Sequence, residues 1–461
     1  MKFLSKINLL VTTVLAVFLF NSCSDDDNST PIQQDNTIAY IASQNSDFSL
    51  LVSALERTDL VATLDGSSQL TVFAPTNAAF TAFLNANGFA SVDEVPVDVL
   101  TQILLNHVLL GEFMSTALNT GYVSTLATQA GSGENISLFI DLSSGVMLNG
   151  VSTVTTADVD ASNGVIHIVD AVLGIPNLVD HAVANPDLSS LVDALTAGGN
   201  TTFTDLLSSS GDFTVFAPTN AAFTAFTNPR SNDINSILAN HVLVGASAVS
   251  SGLTTGYVNT AATFDSTEDV FLSMYVNVDG SSVSLNGSSM VVVADIIASN
   301  GVIHIVDTVI DLPNVVDFAL ADSTFSTLVT ALTRDDLTFD YVTTLSAPLG
   351  TSPAPFTVFA PTNEAFADLL TELSLTGLDD IPEPTLKATL DHHAVATLNV
   401  RSTDLTDAMI VPTLGGNITA NVTGGATLTD ANGRVSNIIA VDVQAANGVI
   451  HVLDKVVLPP L

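Results

Sequence analysis

The chain has a single cysteine, Cys23, so no disulfide can form within it and packing alone must hold its domains together. It has no tryptophan, the residue best suited to stack on a sugar ring, which counts against a conventional lectin or glycosidase cleft. Cations are scarce: 9 Lys+Arg stand against 47 Asp+Glu, a formal net charge of −38. Such a chain cannot neutralise a run of phosphates, which excludes nucleic acid as a partner. An anionic membrane surface would repel it too. Catalytic signatures are also missing: there is no GxSxG, no Walker-type GxxxxGK, no GxGxxG after a strand and no HExxH.

What is present is a globular composition. Apolar residues make up 47 % and charged residues 12 %, the reverse of a disordered chain. At 461 residues, about three domains of ~150 residues are expected.

The first residues read as an address. Lys2 and Lys6 precede an uncharged apolar stretch at 7–20, too short to span ~30 Å of hydrocarbon but suited to a signal-peptide core. Asn21-Ser22-Cys23 follows at once and resembles a bacterial lipoprotein lipobox, which implies cleavage before Cys23 and acylation of that cysteine. The acidic run Ser24-Asp25-Asp26-Asp27 resembles the export signal of Bacteroidota lipoproteins, which implies the outer face of the outer membrane. Residues 1–22 are read as signal peptide and 23–36 as a lipidated flexible tether.

Internal repeats set the organisation of the rest. TVFAPTNAAF begins at Thr71 and again at Thr214, and TVFAPTNEAF at Thr357, each 143 residues after the last. NGVIHIVD begins at Asn163 and Asn300, and NGVIHVLD at Asn447. Between the boxes lies Leu-x-x-His, ending at His107, His241 and His393. Each repeat opens with apolar residues at helical spacing. In the first box Thr-Val-Phe reads as a strand, which Pro75, Pro218 and Pro361 end. Thr76, Thr219 and Thr362, with Asn77, Asn220 and Asn363, then read as helix capping residues. The region after each central His is rich in Thr, Val and Gly and reads as strands and turns, closing on the second box. Helices first and strands after predict α+β domains at 37–175, 176–312 and 313–461.

The two boxes resemble the signature segments of the fasciclin (FAS1) domain, and the Leu-x-x-His element is similar to that family's central histidine region. The resemblance spans 37–461 and implies three tandem wedge-shaped β-sandwiches, each of about seven strands flanked by α-helices. It also implies a surface or secreted protein concerned with adhesion and matrix contact, in a family not known for enzymes. In animal members a Tyr-His pair is tied to integrin-dependent adhesion. Here the matching pairs are Asn106-His107, Asn240-His241 and His392-His393, so integrin recognition does not carry over.

Six of the eight histidines are repeat-equivalent: His107, His241 and His393 at the centre, and His167, His304 and His451 in the second box. Two histidines per domain without cysteine fall short of the three or four ligands zinc requires. They are read as structural, and His181 and His392 as surface or packing residues. Asp170, Asp307 and Asp454 are expected to accept N–H groups of the turn that follows them. Asn163, Asn300 and Asn447, each before Gly, read as tight-turn residues. Asp-rich loops such as Asp158-Val159-Asp160 are candidate Ca²⁺ ligands, although nothing matches an EF-hand. No catalytic residue, metal or cofactor is expected. The reading is a non-enzymatic surface lipoprotein that meets extracellular proteins or polysaccharides and touches the membrane through its lipid alone. The alternative is a surface carbohydrate-binding protein for glycan capture.

Overall fold

The computed structural model describes residues 36–265 and 269–460. Cys23, the acidic run and the tether up to residue 35 lie outside the described residues.

The first domain opens with α1 (Ile38–Gln44), α2 (Ser49–Arg57) and α3 (Val61–Leu64). Their short apolar faces suffice because they lie against a sheet: α2 buries Leu51, Ala54 and Leu55, at i, i+3 and i+4. Strand β1 (Leu70–Pro75) leads into α4 (Asn77–Ala86) and α5 (Val97–Leu105). Then come β2 (Val108–Leu110), β3 (Gly121–Thr128), β4 (Asn135–Asp141), β5 (Met147–Leu148), β6 (Ser152–Ala161) and β7 (Gly164–Val169). The sheet order is β2-β1-β7-β6-β5-β4-β3. Its centre is the parallel pair β1 and β7, in register from Leu70↔Gly164 to Pro75↔Val169. All six residues of β1 are buried, because both faces of this pair are covered.

The two boxes of each repeat are thus neighbours in space. Helices cover one face, where Leu51, Phe80 and Leu104 meet Val72 and Ile166. On the other face Phe73 and Val169 meet Leu138, Ile140 and Leu148 from the far half of the same sheet. The sheet folds over itself at β6, whose pairing with β7 shifts register twice around Asp158, a residue at φ 62°. Such a bulge bends a strand and increases its twist.

The second domain repeats this plan. Its helices are α6 (Leu178–Ala184), α7 (Ser189–Leu195), α8 (Thr202–Ser208), α9 (Asn220–Ala225) and α10 (Ile234–Ala239). Its strands are β8 (Phe213–Pro218), β9 (Val242–Val244), β10 (Gly256–Thr263), β11 (Phe271–Asp279), β12 (Ser282–Leu285), β13 (Ser289–Ala298) and β14 (Gly301–Val306). The third has α11 (Val315–Ala321), α12 (Ser326–Leu332), α13 (Tyr341–Leu345), α14 (Asn363–Glu372) and α15 (Glu383–Asp391). Its strands are β15 (Phe356–Pro361), β16 (Ala394–Ala396), β17 (Met409–Thr413), β18 (Gly416–Asn421), β19 (Thr427–Thr429), β20 (Val435–Ala445) and β21 (Gly448–Leu453). The three sheets share one strand order.

The domains join head to tail through an interface that repeats. Tyr122 of β3 donates to the His181 carbonyl at 3.3 Å, and Tyr257 of β10 to the Asp322 carboxylate at 3.0 Å. Ser137 Oγ accepts the Ile297 N–H at 2.9 Å, and Ser273 Oγ that of Gln444 at 3.0 Å. Pro176 and Pro313, in the linkers, offer their carbonyls to the N–H groups of Ser299 and Ala446. Each junction also has a tie of its own. Gln129 reaches across the first to donate to the Ala298 carbonyl at 2.9 Å and the Gly301 carbonyl at 3.2 Å. Phe264 stands at the matching position of the second domain, and the matching carbonyls, Ala445 and Gly448, are served from within the third domain by Gln444. At the second junction Arg230 binds the Leu312 carbonyl at 3.0 Å and pairs with Asp317 at 2.8 Å.

Candidate functional site

The central histidines follow directly on α5, α10 and α15. His107 Nδ1 lies 2.7 Å from the Ile103 carbonyl, one turn back, and Nε2 accepts the Leu173 N–H at 2.9 Å. His241 repeats this with Ile237 and Ile310, and His393 with Thr389 and Val457. An N–H facing Nε2 leaves Nδ1 as the protonated nitrogen, so each ring is neutral and both nitrogens are spent on backbone groups. Burial holds all three pKa values down at about 4, against a smaller upward pull from the helix carbonyl.

The second-box histidines sit in mid-strand and carry the opposite tautomer. His167 Nε2 lies 2.9 Å from the Phe113 carbonyl, and Nδ1 accepts the Asp158 N–H at 3.2 Å. His304 does the same with Ala248 and Asp295. His451 keeps the carbonyl bond, to Val400 at 2.9 Å, but its Nδ1 has no partner. Burial lowers the pKa of His304 and His451. Each ring stacks on the first-box Phe beside it, Phe73, Phe216 or Phe359, with centroids 5.5–5.6 Å apart.

Several residues take roles other than those the sequence suggested. Thr76, Thr219 and Thr362 do cap their own helices, accepting from Ala79, Ala222 and Ala365. Asn77, Asn220 and Asn363 instead reach back to the opening helices, where their Oδ1 accepts from Leu50, Ser190 and Thr327. Pro75, Pro218 and Pro361 end the central strands opposite Val169, Val306 and Leu453. The carboxylates of Asp170, Asp307 and Asp454 accept N–H groups of the neighbouring strand, from Thr153, Met290 and Asn437, rather than of the following turn. A strand end beside an antiparallel partner puts that partner's N–H nearer than its own turn.

Asn163, Asn300 and Asn447 do sit in tight turns, but their side chains do more. Asn163 accepts the Ile38 N–H at 2.9 Å and donates to the carbonyls of Leu64 and Gly66, tying three segments together. Asn300 and Asn447 repeat this. The Gly after each has no room for a side chain: a Cβ on Gly301 would stand 2.3 Å from the Phe213 carbonyl oxygen.

Asp158 is not in a loop. It is the left-handed bulge residue of β6, and its carboxylate accepts the N–H and hydroxyl of Ser115, both at 2.6 Å, which lower its pKa. Asp295 and Asp442 make the same clasp with Ser250 and Ser402. Among the described residues no group of three or more His, Cys, Asp and Glu converges as a metal site. His181 and His392 are both packing residues, 0 % and 2 % exposed. His181 faces Tyr122 across the first junction, and His392 lies over Gly415. Asn106, Asn240 and His392 occupy the position of the animal Tyr, and all three are buried.

Two repeated devices escape the sequence reading: the Asp158 clasp, and the buried hydroxyl of Thr71, which donates to the Gly111 carbonyl and accepts from Phe113. Aligning the three copies reveals both, since Asp158, Asp295 and Asp442, like Thr71, Thr214 and Thr357, fall at matching positions.

The fold is a tandem array of α+β domains, each a seven-stranded sheet folded into a sandwich beside helices. The Fasciclin domain family matches residues 46–176, 186–313 and 323–459, and the chain belongs to that family. Protein sll1483 of Synechocystis is 38 % identical over 137 residues, covering 30 % of this chain and 72 % of its own length. Human periostin is 27 % identical over 77 % of this chain and 39 % of its own length. The pig transforming growth factor-beta-induced protein ig-h3 is 26 % identical over 92 % of this chain and 58 % of its own length. Among solved structures, the FAS1 domain pair of the insect cell adhesion molecule Fasciclin I matches with a TM-score of 0.34 at 20 % identity, over 59 % of this chain and 95 % of that one.

Proposed function

We propose that the chain is a non-enzymatic adhesion or matrix-binding lipoprotein, held to the outer membrane by lipid on Cys23 and displayed on the cell surface. The observation that carries the non-enzymatic part is the state of the repeated histidines. Each is buried, and five of the six have both nitrogens spent on backbone groups. A general acid or base needs reach to a substrate proton, and these rings reach only their own backbone. Family membership and three copies in tandem support the adhesive part, because linked weak sites gain effective concentration. The lipobox and acidic run support the address.

The test is protease shaving of intact cells, with a periplasmic protein as leakage control. Cleavage while the control survives is the expected result. Protection of the chain overturns the surface address, and attachment unchanged by gene deletion overturns the adhesive role.

A further inference from the structure

Arginine is scarce in this chain, and its use is telling. Arg57, Arg230, Arg334 and Arg434 each donate to backbone carbonyls, at 2.8–3.0 Å. The guanidinium of Arg401 makes no hydrogen bond within the described residues. Its Nε is buried without a partner, and among the described residues the one carboxylate oxygen paired with the guanidinium, on Asp442, stands 3.9 Å away. A buried donor left unmade is unfavourable, and with the side chain 31 % exposed an acceptor from outside can reach the guanidinium.

Arg401 lines a cleft of about 350 Å³ between the second and third domains. Its other walls include Tyr257, Asn259, Asp269, Phe271 and Asp442. The size suits a small ligand. At the first junction the residue matching Arg401 is Val249, which packs into an apolar cluster with Ala127, Ile136 and Ile297. The residue matching Phe271 there is Asn135. The arginine and the phenylalanine of this cleft therefore belong to the second junction alone, whereas Tyr257 has its counterpart in Tyr122.

We infer that this cleft binds a neutral saccharide unit. Phe271 lines the cleft and is 44 % exposed, an aromatic surface of the kind sugar C–H groups pack against. Arg401 offers donors, Asp269 offers acceptors, and Asn259 offers both, the complement that vicinal hydroxyls require, while both Asp442 oxygens are held by Ser402. Two carboxylates against one guanidinium, on a chain of net charge −38, disfavour an acidic sugar. The inference deepens the matrix-binding reading and rests on it for the source of the sugar.

The full-length chain is titrated calorimetrically with neutral cello-, xylo- and manno-oligosaccharides and with oligogalacturonate. Saturable binding of a neutral oligosaccharide is expected, weakened at least tenfold in both Arg401→Ala and Phe271→Ala. The exposed control Lys455→Ala should bind as the parent does. Melting curves of the same variants identify any that misfold, and two walls tested separately keep one informative. Failure of every neutral oligosaccharide to bind at millimolar concentration overturns the inference. So does preference for oligogalacturonate, or binding that both folded variants retain. Shaving reads the surface address independently, so either conclusion can fail without the other.

Discussion

His107, His241 and His393 each close a bridge from the end of a helix to the segment after the last strand of the domain. Truncating His241 to Ala strands the Ile310 N–H away from water, removes one of the two donors to the Ile237 carbonyl and leaves a void. The expected cost is about 2–4 kcal/mol, combining the unmade bonds and the lost packing. Urea unfolding of the second domain reads it, and a loss within the error of the parent would contradict the bridge. The same rings set a pH dependence. Their pKa falls from 6.5 to about 4 on folding, so between those values the unfolded chain binds more protons than the folded one. Stability is therefore complete above pH 6.5 and declines as pH falls towards 4, by up to about 3 kcal/mol per ring. His181, buried with its pKa also at about 4, adds to the same slope. Thermal melts from pH 8 to 4 check the sign. A rise in melting temperature on acidification through this window would show that the rings are not neutral in the folded chain.

At the scale of elements, the bent β6, β13 and β20 decide whether a seven-stranded sheet becomes a sandwich. The bend is held by one left-handed Asp per strand, at φ 62°, 62° and 58°, whose carboxylate grips a serine in the preceding connection. Asp295→Ala removes the grip and leaves a β-carbon residue in a conformation that Asp tolerates better than Ala. A loss of about 1–3 kcal/mol is expected for the second domain, whereas Asp295→Asn, which keeps one acceptor and the backbone preference, should lose less. Equal losses in the two variants would show that the carboxylate does not hold the bend. These strands also mark where the sequence stopped being legible. Thr76 as a helix cap, β1 and β7 as strands, and the repeat plan follow from local chemistry and could be read directly. The bulge could not, because Asp158 and Ser115 lie 43 residues apart and Asp158-Val159-Asp160 alone looks like an acidic loop. The reach of Asn163 to Ile38 crosses 125 residues and is invisible to any local window. Asp170 failed for the same reason, since its partner sits on the neighbouring strand.

Across the whole molecule, charge and junctions pull in opposite directions. Domains one and two hold one cation each, Arg57 and Arg230, while the third holds Arg334, Lys387, Arg401, Arg434 and Lys455. Self-repulsion favours separation of such acidic domains, and salt screens it over about 8 Å at physiological strength. The junctions answer with directed bonds. Gln129 is the most exacting of them, since its amide is the partner of two buried carbonyls in another domain. Gln444 makes the matching bonds from within its own domain, so the two glutamines do the same chemistry with different consequences for coupling. Gln129→Ala should leave each domain intact but loosen the first junction, so that the first domain melts as a separate transition. Gln444→Ala should lower the melting of the third domain without freeing it from the second, because Tyr257 and Arg230 still span that junction. Added salt should narrow the gap between transitions in Gln129→Ala by weakening the repulsion between separated domains. Scanning calorimetry at low and high salt distinguishes these outcomes. A single unchanged transition in Gln129→Ala would place the coupling in the remaining ties of that junction instead, the bonds of Tyr122, Ser137 and Pro176 and the apolar contacts of Ile136, Ile297 and Val302.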